Sequence, residues 1–278
     1  VLISEIHYPA SVTDALALID EQPDTILLAG GTEIAGAQVS RFLQFPQSIA
    51  CIAKIPELKK TTRTEQFMEF GSCTSLTGLL SLGPGILPHP LVQAIQSIGN
   101  PAIRNIATLG GNLASRRQFM DLWPFLVCMD AQVEIRNRTN SHWANLFYLA
   151  DGSNRPFFPG KSILTRVRIP LVEYSNVFYR KIGGQGFPHH ESAVFVCMAE
   201  IQQNKIESFR LVFSGTKVFR LQEVELSLFA KKITNNSREL AFARQEYIRE
   251  FSRSGFVNPA IFSSLVTEAF ETLFGASL

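Results

Sequence analysis

Residues 104–121 read Arg-Asn-Ile-Ala-Thr-Leu-Gly-Gly-Asn-Leu-Ala-Ser-Arg-Arg-Gln-Phe-Met-Asp. At the centre Gly110 and Gly111 stand between Thr108 and Asn112. Adjacent glycines let a backbone take φ > 0 and come within contact distance of a ligand, and Gly111 is expected to do both. A second pair, Gly30 and Gly31, lies upstream between Ala29 and Thr32-Glu33, directly after an apolar run. Both pairs read as an extended segment, a glycine turn and a short polar side chain. Such turns form nests of main-chain N–H groups, and nests bind phosphates. Two nests suit a ligand with two phosphates, although a glycine pair also serves as plain chain punctuation. Neither pair fits G-x-G-x-x-G or the P-loop spacing, so a Rossmann or Walker site is not supported.

Composition narrows the function classes. The chain has 278 residues with 46% hydrophobic and 18% charged, enough for one large or two moderate globular domains. A net charge of +2, with Lys and Arg scattered, gives no footprint for nucleic acid or an anionic membrane. No apolar run approaches the ~20 residues that span a bilayer, and no signal peptide is visible. The first residue is Val rather than Met, so some upstream residues are expected to be missing. Cys51, Cys73, Cys128 and Cys197 form no C-x-x-C and sit among apolar or small residues, which fits reduced, mostly buried thiols of a cytoplasmic protein. His189-His190-Glu191 lacks a further ligand at metal-site spacing. No nucleophile–base pair or paired carboxylates stand out. Any chemistry is therefore expected from a cofactor. Main-chain N–H bonds to anionic oxygens contribute roughly 1.5–3 kcal/mol each, so a nearly neutral chain can still hold an anion.

Read in order, residues 1–54 form a small β-α-β-α-β unit. Ser11 caps a helix with Asp14 at its third position. Thr25–Ala29 is a buried strand, and a helix starting at Glu33 or Ile34 runs to about Phe42. Residues 55–172 form a second lobe. Strands are expected at Phe67–Gly71, Gln132–Arg136 and Ser162–Ile169, a helix through Leu91–Ile98 stopped by Gly99, and a helix beginning at Asp121. Residues 173–278 form a C-terminal α+β domain. Its strands are Val177–Ile182, Ser192–Gln202 and Ile206–Phe213, with a hairpin turn at Asn204-Lys205. Helices follow at Glu223–Lys231, Ser237–Phe251 and Pro259–Phe274.

Four segments then occur in order: Ala29-Gly30-Gly31-Thr32-Glu33, Ile103-Arg104-Asn105 leading into Thr108–Asn112, Asp121 followed by Pro124, and Phe178–Gly183. With them the whole chain resembles the FAD-binding medium subunit of the molybdenum hydroxylases, the xanthine dehydrogenase and carbon monoxide dehydrogenase group. The resemblance implies an α+β fold. A two-lobed FAD-binding domain of the vanillyl-alcohol-oxidase type is followed by a small α+β C-terminal domain. It implies an oxidoreductase subunit. Electrons would arrive from [2Fe–2S] clusters of an iron–sulfur subunit, fed by a molybdopterin-containing large subunit. FAD would pass them to NAD⁺ or another acceptor. Carried onto this sequence, Leu27, Leu28, Ala29, Gly30, Gly31, Thr32, Glu33 and Ile34 wrap the FAD phosphates and ribityl chain. Gly99, Ile103 and Ala107 line the flavin or diphosphate. Thr108, Gly110, Gly111 and Asn112 form the second diphosphate turn. Asp121 binds the adenosine side, Ile163 or Leu164 touches a ring edge, and Lys181 sits near the flavin.

The sequence departs from the family in three places. Relatives have Ser-Pro-x-x-Asp where residues 116–121 read Arg-Arg-Gln-Phe-Met-Asp. Ala102 replaces a Gln before Ile-Arg-Asn, and Gln185 an Arg. The alternative motivated by the altered 116–120 loop is a structural subunit that has lost flavin or changed acceptor. A third alternative is a self-contained flavin oxidase of the same fold, against which stands the lack of recognisable residues for a substrate site of its own in the sequence.

Overall fold

The computed structural model describes residues 4–36, 46–83, 86–115, 121–149, 160–172, 174–183, 192–234, 237–256 and 258–275. They divide into two compact units, one within residues 1–116 and 130–171, the other within 117–129 and 172–278.

The first unit opens with β1 (Glu5–His7), α1 (Val12–Glu21), β2 (Ile26–Leu28), α2 (Thr32–Gly36) and β3 (Ser48–Cys51). Ser11 Oγ accepts from Asp14 N while the Asp14 carboxylate accepts from Ser11 N, so α1 starts on a complete capping box. β3 lies between β1 and β2 and pairs with both in parallel. The helix expected to reach Phe42 is described only as α2, and its later part lies outside the described residues. The buried stripe of α1, Val12, Ala15, Leu16 and Ile19, joins Ile52, Ile55, Leu58, Cys73 and Ile163 in one cluster. The two sequence lobes thus share a core.

After a 3-10 turn at Pro56–Lys59 come β4 (Thr61–Arg63), β5 (Phe67–Gly71), α3 (Leu76–Leu80), α4 (His89–Gln96), α5 (Pro101–Ile106) and α6 (Leu109–Ala114). Then follow α7 (Trp123–Cys128), β6 (Gln132–Arg136), β7 (Ser141–Asn145) and β8 (Ile163–Pro170). An antiparallel sheet of order β4-β5-β8-β6-β7 results. On it, Glu134 accepts from Arg166 Nε at 2.8 Å and Nη2 at 2.9 Å, from Ser141 Oγ at 3.0 Å, and from Thr165 Oγ1. Burial alone pushes the Glu134 carboxyl up, but the hydrogen bonds from Arg166, Thr165 and Ser141 overcome it and hold it at about 2.

The second unit holds β9 (Asn176–Ile182), β10 (Ala193–Gln202), β11 (Lys205–Ser214), β12 (Val218–Phe219), α8 (Gln222–Ser227), α9 (Arg238–Arg253) and α10 (Pro259–Phe274). The strands form one antiparallel sheet in the order β12-β11-β10-β9. The β10–β11 turn is Gln203-Asn204, both left-handed, one residue earlier than the pattern implied. One sheet face, with Phe195, Cys197, Phe209, Leu211 and Phe213, packs against Tyr247 and Phe251 of α9 and Phe262 and Phe270 of α10. Phe251 and Phe262 stack at 3.8 Å, and Phe213 meets both edge-on.

The alternate residues Val194, Val196, Met198 and Val212 are equally buried, so the other face is covered too. The cover is α7, every residue of which is buried and which packs on β10 and β11. Two ties fix it. Lys181 Nζ on β9 pairs with Asp121 at 2.7 Å, just ahead of α7, and Arg220 Nη1 donates to Val127 O at 2.9 Å at its far end. The sequence boundaries place residues 117–129 in the second lobe, whereas the described ones group with the C-terminal unit because α7 completes its sheet. Arg220 is itself neutralised by Glu225, whose carboxylate accepts from its Nε at 3.0 Å and Nη2 at 2.8 Å.

Two stability outcomes are expected. Glu134 sits below its ordinary value of 4.5, so the stability it contributes is complete above pH 4.5 and disappears as pH falls towards about 2. Urea midpoints measured across that window should fall for the native chain and fall less for Glu134→Gln. Arg220→Met should cost about 3 kcal/mol in chemical unfolding, because it leaves buried Glu225 with only the Arg210 guanidinium, its Nε 3.8 Å away, as counter-ion.

Candidate functional site

The two glycine pairs meet in the first unit, but as main chain packed on main chain. A Cβ at Gly30 would lie 1.9 Å from Ile106 O and 3.1 Å from Ala107 Cα, so no side chain fits there. Gly31 takes φ +68°, and its carbonyl accepts from Ala35 N at 2.9 Å. Among the described residues, nothing accepts a hydrogen bond from the amides of Gly30, Gly31 or Thr32. Residues 27–34 are all half-buried, so this turn presents donors beside the apolar flanks of Leu28 and Ile34, while Leu27 and Ala29 lean on the core. Glu33 is half-buried alongside them.

The second pair corrects the sequence reading. It follows a helix, α5, and lies inside α6, capped by Thr108; neither Gly110 nor Gly111 has φ > 0. Leu109 N donates to Thr74 O at 3.0 Å, Gly110 N to Ser72 O at 2.7 Å, Gly111 N to Thr108 Oγ1 at 3.1 Å and Asn112 N to Thr108 O at 2.9 Å. These amides are therefore engaged in fastening α6 to residues 72–74 and in capping it. They do not form an open nest. Gly110 is required because a Cβ there would come within 2.6 Å of Ser72 Cβ and 2.9 Å of Ser72 O. What this seam leaves for a ligand is the exposed edge at Gly111 and the carboxamide of Asn112, whose Oδ1 is buried without a partner. Ser72 Oγ and Thr74 Oγ1 are likewise buried and unpartnered. No motif marked Ser72 or Thr74. The legible signal is the run of small residues Ser72-Cys73-Thr74-Ser75 directly after the strand that ends at Gly71.

Gly99 and Ile103 adjoin: Gly99 has φ +51°, and a Cβ there would meet Ile103 Cγ2 at 2.9 Å. Ile103 and Ile106 are exposed on α5, while Ala107 is buried beneath the first turn. Ile163 is only 1% exposed within the core of α1, so it has no surface for a ring edge, and of that pair only Leu164 is partly open. Asp121 does not begin a helix. It holds φ +59° two residues before α7 and is paired with Lys181, so these two predicted ligand residues engage each other in the second unit. Gln185 and His189–Glu191 lie outside the described residues, as do residues 116–120.

Other chemistry is sparse. Among the described residues no group of three metal-ligating side chains converges. Burial pushes the Cys73 thiol up to about 11, so it is not a nucleophile near neutral pH. No helix among the described residues is long and apolar enough to cross a membrane. Free main-chain donors in one turn, an unpartnered carboxamide in the other and apolar surface on α5 fit an anionic ligand that carries rings.

A family model for the FAD binding domain in molybdopterin dehydrogenase matches residues 3–172. The chain belongs to this family. Its cofactor is FAD, and the donors of the first glycine turn and the unpartnered Asn112 fit that group. The glyceraldehyde dehydrogenase medium chain of Sulfolobus acidocaldarius is 23% identical over 229 residues, covering 81% of each chain. The xanthine dehydrogenase FAD-binding subunit of Escherichia coli O157:H7 is 34% identical over 134 residues, covering 47% of this chain and 45% of that one. Aldehyde oxidase 2 of Cavia porcellus is 31% identical over 58% of this chain, and the match spans only 13% of its length. A chain of the cyanide-inactivated Cu,Mo-CO dehydrogenase shares the fold, with a TM-score of 0.80, 18% identity and 99% of both chains covered.

The glycines are predicted to differ sharply. Gly30→Ala and Gly110→Ala should each cost about 3 kcal/mol, because the new methyl meets main chain or a packed Cβ. Gly111→Ala should be within about 1 kcal/mol of neutral, since helix propensity offsets a weakened Thr108 cap. Gly36→Ala meets nothing within 4 Å and serves as the control. Denaturant midpoints of the four variants read the ranking.

Proposed function

We propose that this chain is the FAD-carrying subunit of a molybdenum hydroxylase complex, an oxidoreductase completed by an iron–sulfur subunit and a molybdopterin-containing large subunit. The family match over residues 3–172 carries this reading. The name of the Sulfolobus medium chain and the fold shared with a Cu,Mo-CO dehydrogenase chain support the multi-chain form. The amides of Gly30, Gly31 and Thr32 hold the diphosphate, with the Asn112 carboxamide across the seam. Gly99, Ile103 and Ile106 exclude water from the ring system. When bound, FAD supplies a centre that takes single electrons from [2Fe–2S] clusters and returns pairs to NAD⁺ or another acceptor. Among the described residues no acid–base pair stands ready for a substrate, so substrate choice belongs to the molybdenum-bearing partner.

The purified, folded chain supplied with FAD should retain it stoichiometrically and release it on denaturation. A folded chain that takes up no FAD overturns the reading. With both partner chains present, substrate should bleach the flavin absorbance, and adding NAD⁺ should restore it if NAD⁺ is the acceptor. Restoration by an artificial dye but not by NAD⁺ assigns the acceptor elsewhere.

A further inference from the structure

Arg104 is absent from the set of residues carried over for FAD, yet its placement is specific. Its Nη1 donates to three main-chain oxygens, those of Gln96 at 3.1 Å, Ile98 at 3.1 Å and Gly99 at 2.8 Å. Two of these lie beyond the last residue of α4, which ends at Gln96. The guanidinium therefore holds the turn after the helix as well as the helix end. That turn carries the left-handed Gly99 and leads to Asn100, whose Oδ1 accepts from Ile103 N at 2.9 Å and starts α5. Arg104 N in turn donates to Asn100 O at 3.0 Å. One side chain of α5 thus reaches back and fixes the turn that launches α5. The same helix presents Ile103 and Ile106 to solvent and ends against Gly30. All three side-chain bonds go to neutral oxygens, so the positive charge is retained beside this corner.

We propose that Arg104 is the positioning residue of the flavin-facing corner, setting the Gly99 turn and the Ile103–Ile106 face against which the FAD ring system lies. The inference rests on the functional reading above. Nη1 brings two N–H groups to three carbonyls, so one is shared, and the rigid guanidinium plane holds that nitrogen over the turn, where a lysine ammonium on a flexible stem is not held. Losing it lets the Gly99 turn relax and changes what the ring packs against, while the amides of Gly30–Thr32 keep their hold on the diphosphate.

The test uses the full chain loaded with FAD. Arg104→Gln should bind FAD about tenfold more weakly, equivalent to the loss of one charge-assisted hydrogen bond. Its visible circular dichroism and flavin midpoint potential should shift as well. Arg104→Lys should fall between it and the native chain. Gly99→Ala perturbs the same turn from the other side and should reproduce the dichroism change with the charge intact. If Arg104→Gln is folded and keeps native affinity, dichroism and potential, or loses only thermal stability, the inference is overturned. If Arg104→Gln does not fold, Gly99→Ala decides, and an unchanged flavin spectrum there overturns it. A native chain that takes up no FAD overturns the functional reading and this inference with it.

Discussion

Main chain touching main chain at three glycines sets the rest of the first unit. Gly30 lies against Ile106 and Ala107, Gly110 against Ser72, and Gly71 against Leu58, where a Cβ would approach the carbonyl to 2.2 Å. Each contact is sealed by neighbouring hydrogen bonds: Cys73 N to Leu58 O at 2.7 Å, Gly110 N to Ser72 O at 2.7 Å and Leu76 N to Ala107 O at 2.9 Å. Segments distant in sequence are laid side by side at a separation that no side chain could share. The glycine turn at Gly30–Thr32 is held at the end of this stack, so the placement of its main-chain donors depends on contacts made well away from it. Gly→X substitutions in such a seam act through sterics rather than through backbone freedom, since only Gly31 of the two pairs needs φ > 0.

The sequence was most readable where local chemistry and tertiary structure agree. The Ser11–Asp14 box announced α1, alternation announced β6 and β8, and Pro259 with the apolar period announced α10. The second glycine pair misled because glycine is a poor helix former, and propensity argued for a turn. Tertiary contact overrode propensity: α6 begins where Gly110 must clear Ser72, which no local pattern records. Helix α5 carries a local signal of its own, Asn100 as cap followed by Pro101 in the first turn. Ile163 and Leu164 could not be told apart because alternation gives two faces without saying which one meets α1. The short strands β4, β7 and β12 carry too few residues for a period to show.

The candidate site was legible as two glycine turns, but the division of labour between them was not. Both looked like donors. One proves to be mostly fastening, with its amides turned inward, and the other keeps donors free. The difference lies in partners about 35 residues apart along the chain, Ser72 and Thr74 for the Leu109–Gly110 amides, with none among the described residues for the Gly30 and Gly31 amides. In the sequence Arg104 is one residue of a motif with no signal of its own. Its three carbonyl partners give it a physical task.

Helix α7 has a consequence for modularity. The chain leaves the first unit, delivers six buried residues to the far sheet, and returns to build β6, β7 and β8 before entering β9. The C-terminal unit is therefore discontinuous in the gene. A fragment excised at residue 172 would carry the whole four-stranded sheet yet leave Val194, Val196, Met198 and Val212 bare to water, with Lys181 parted from Asp121. Recombination that swaps this unit between relatives must move two pieces of chain together, which ties the evolution of the C-terminal sheet to the segment that follows the glycine seam.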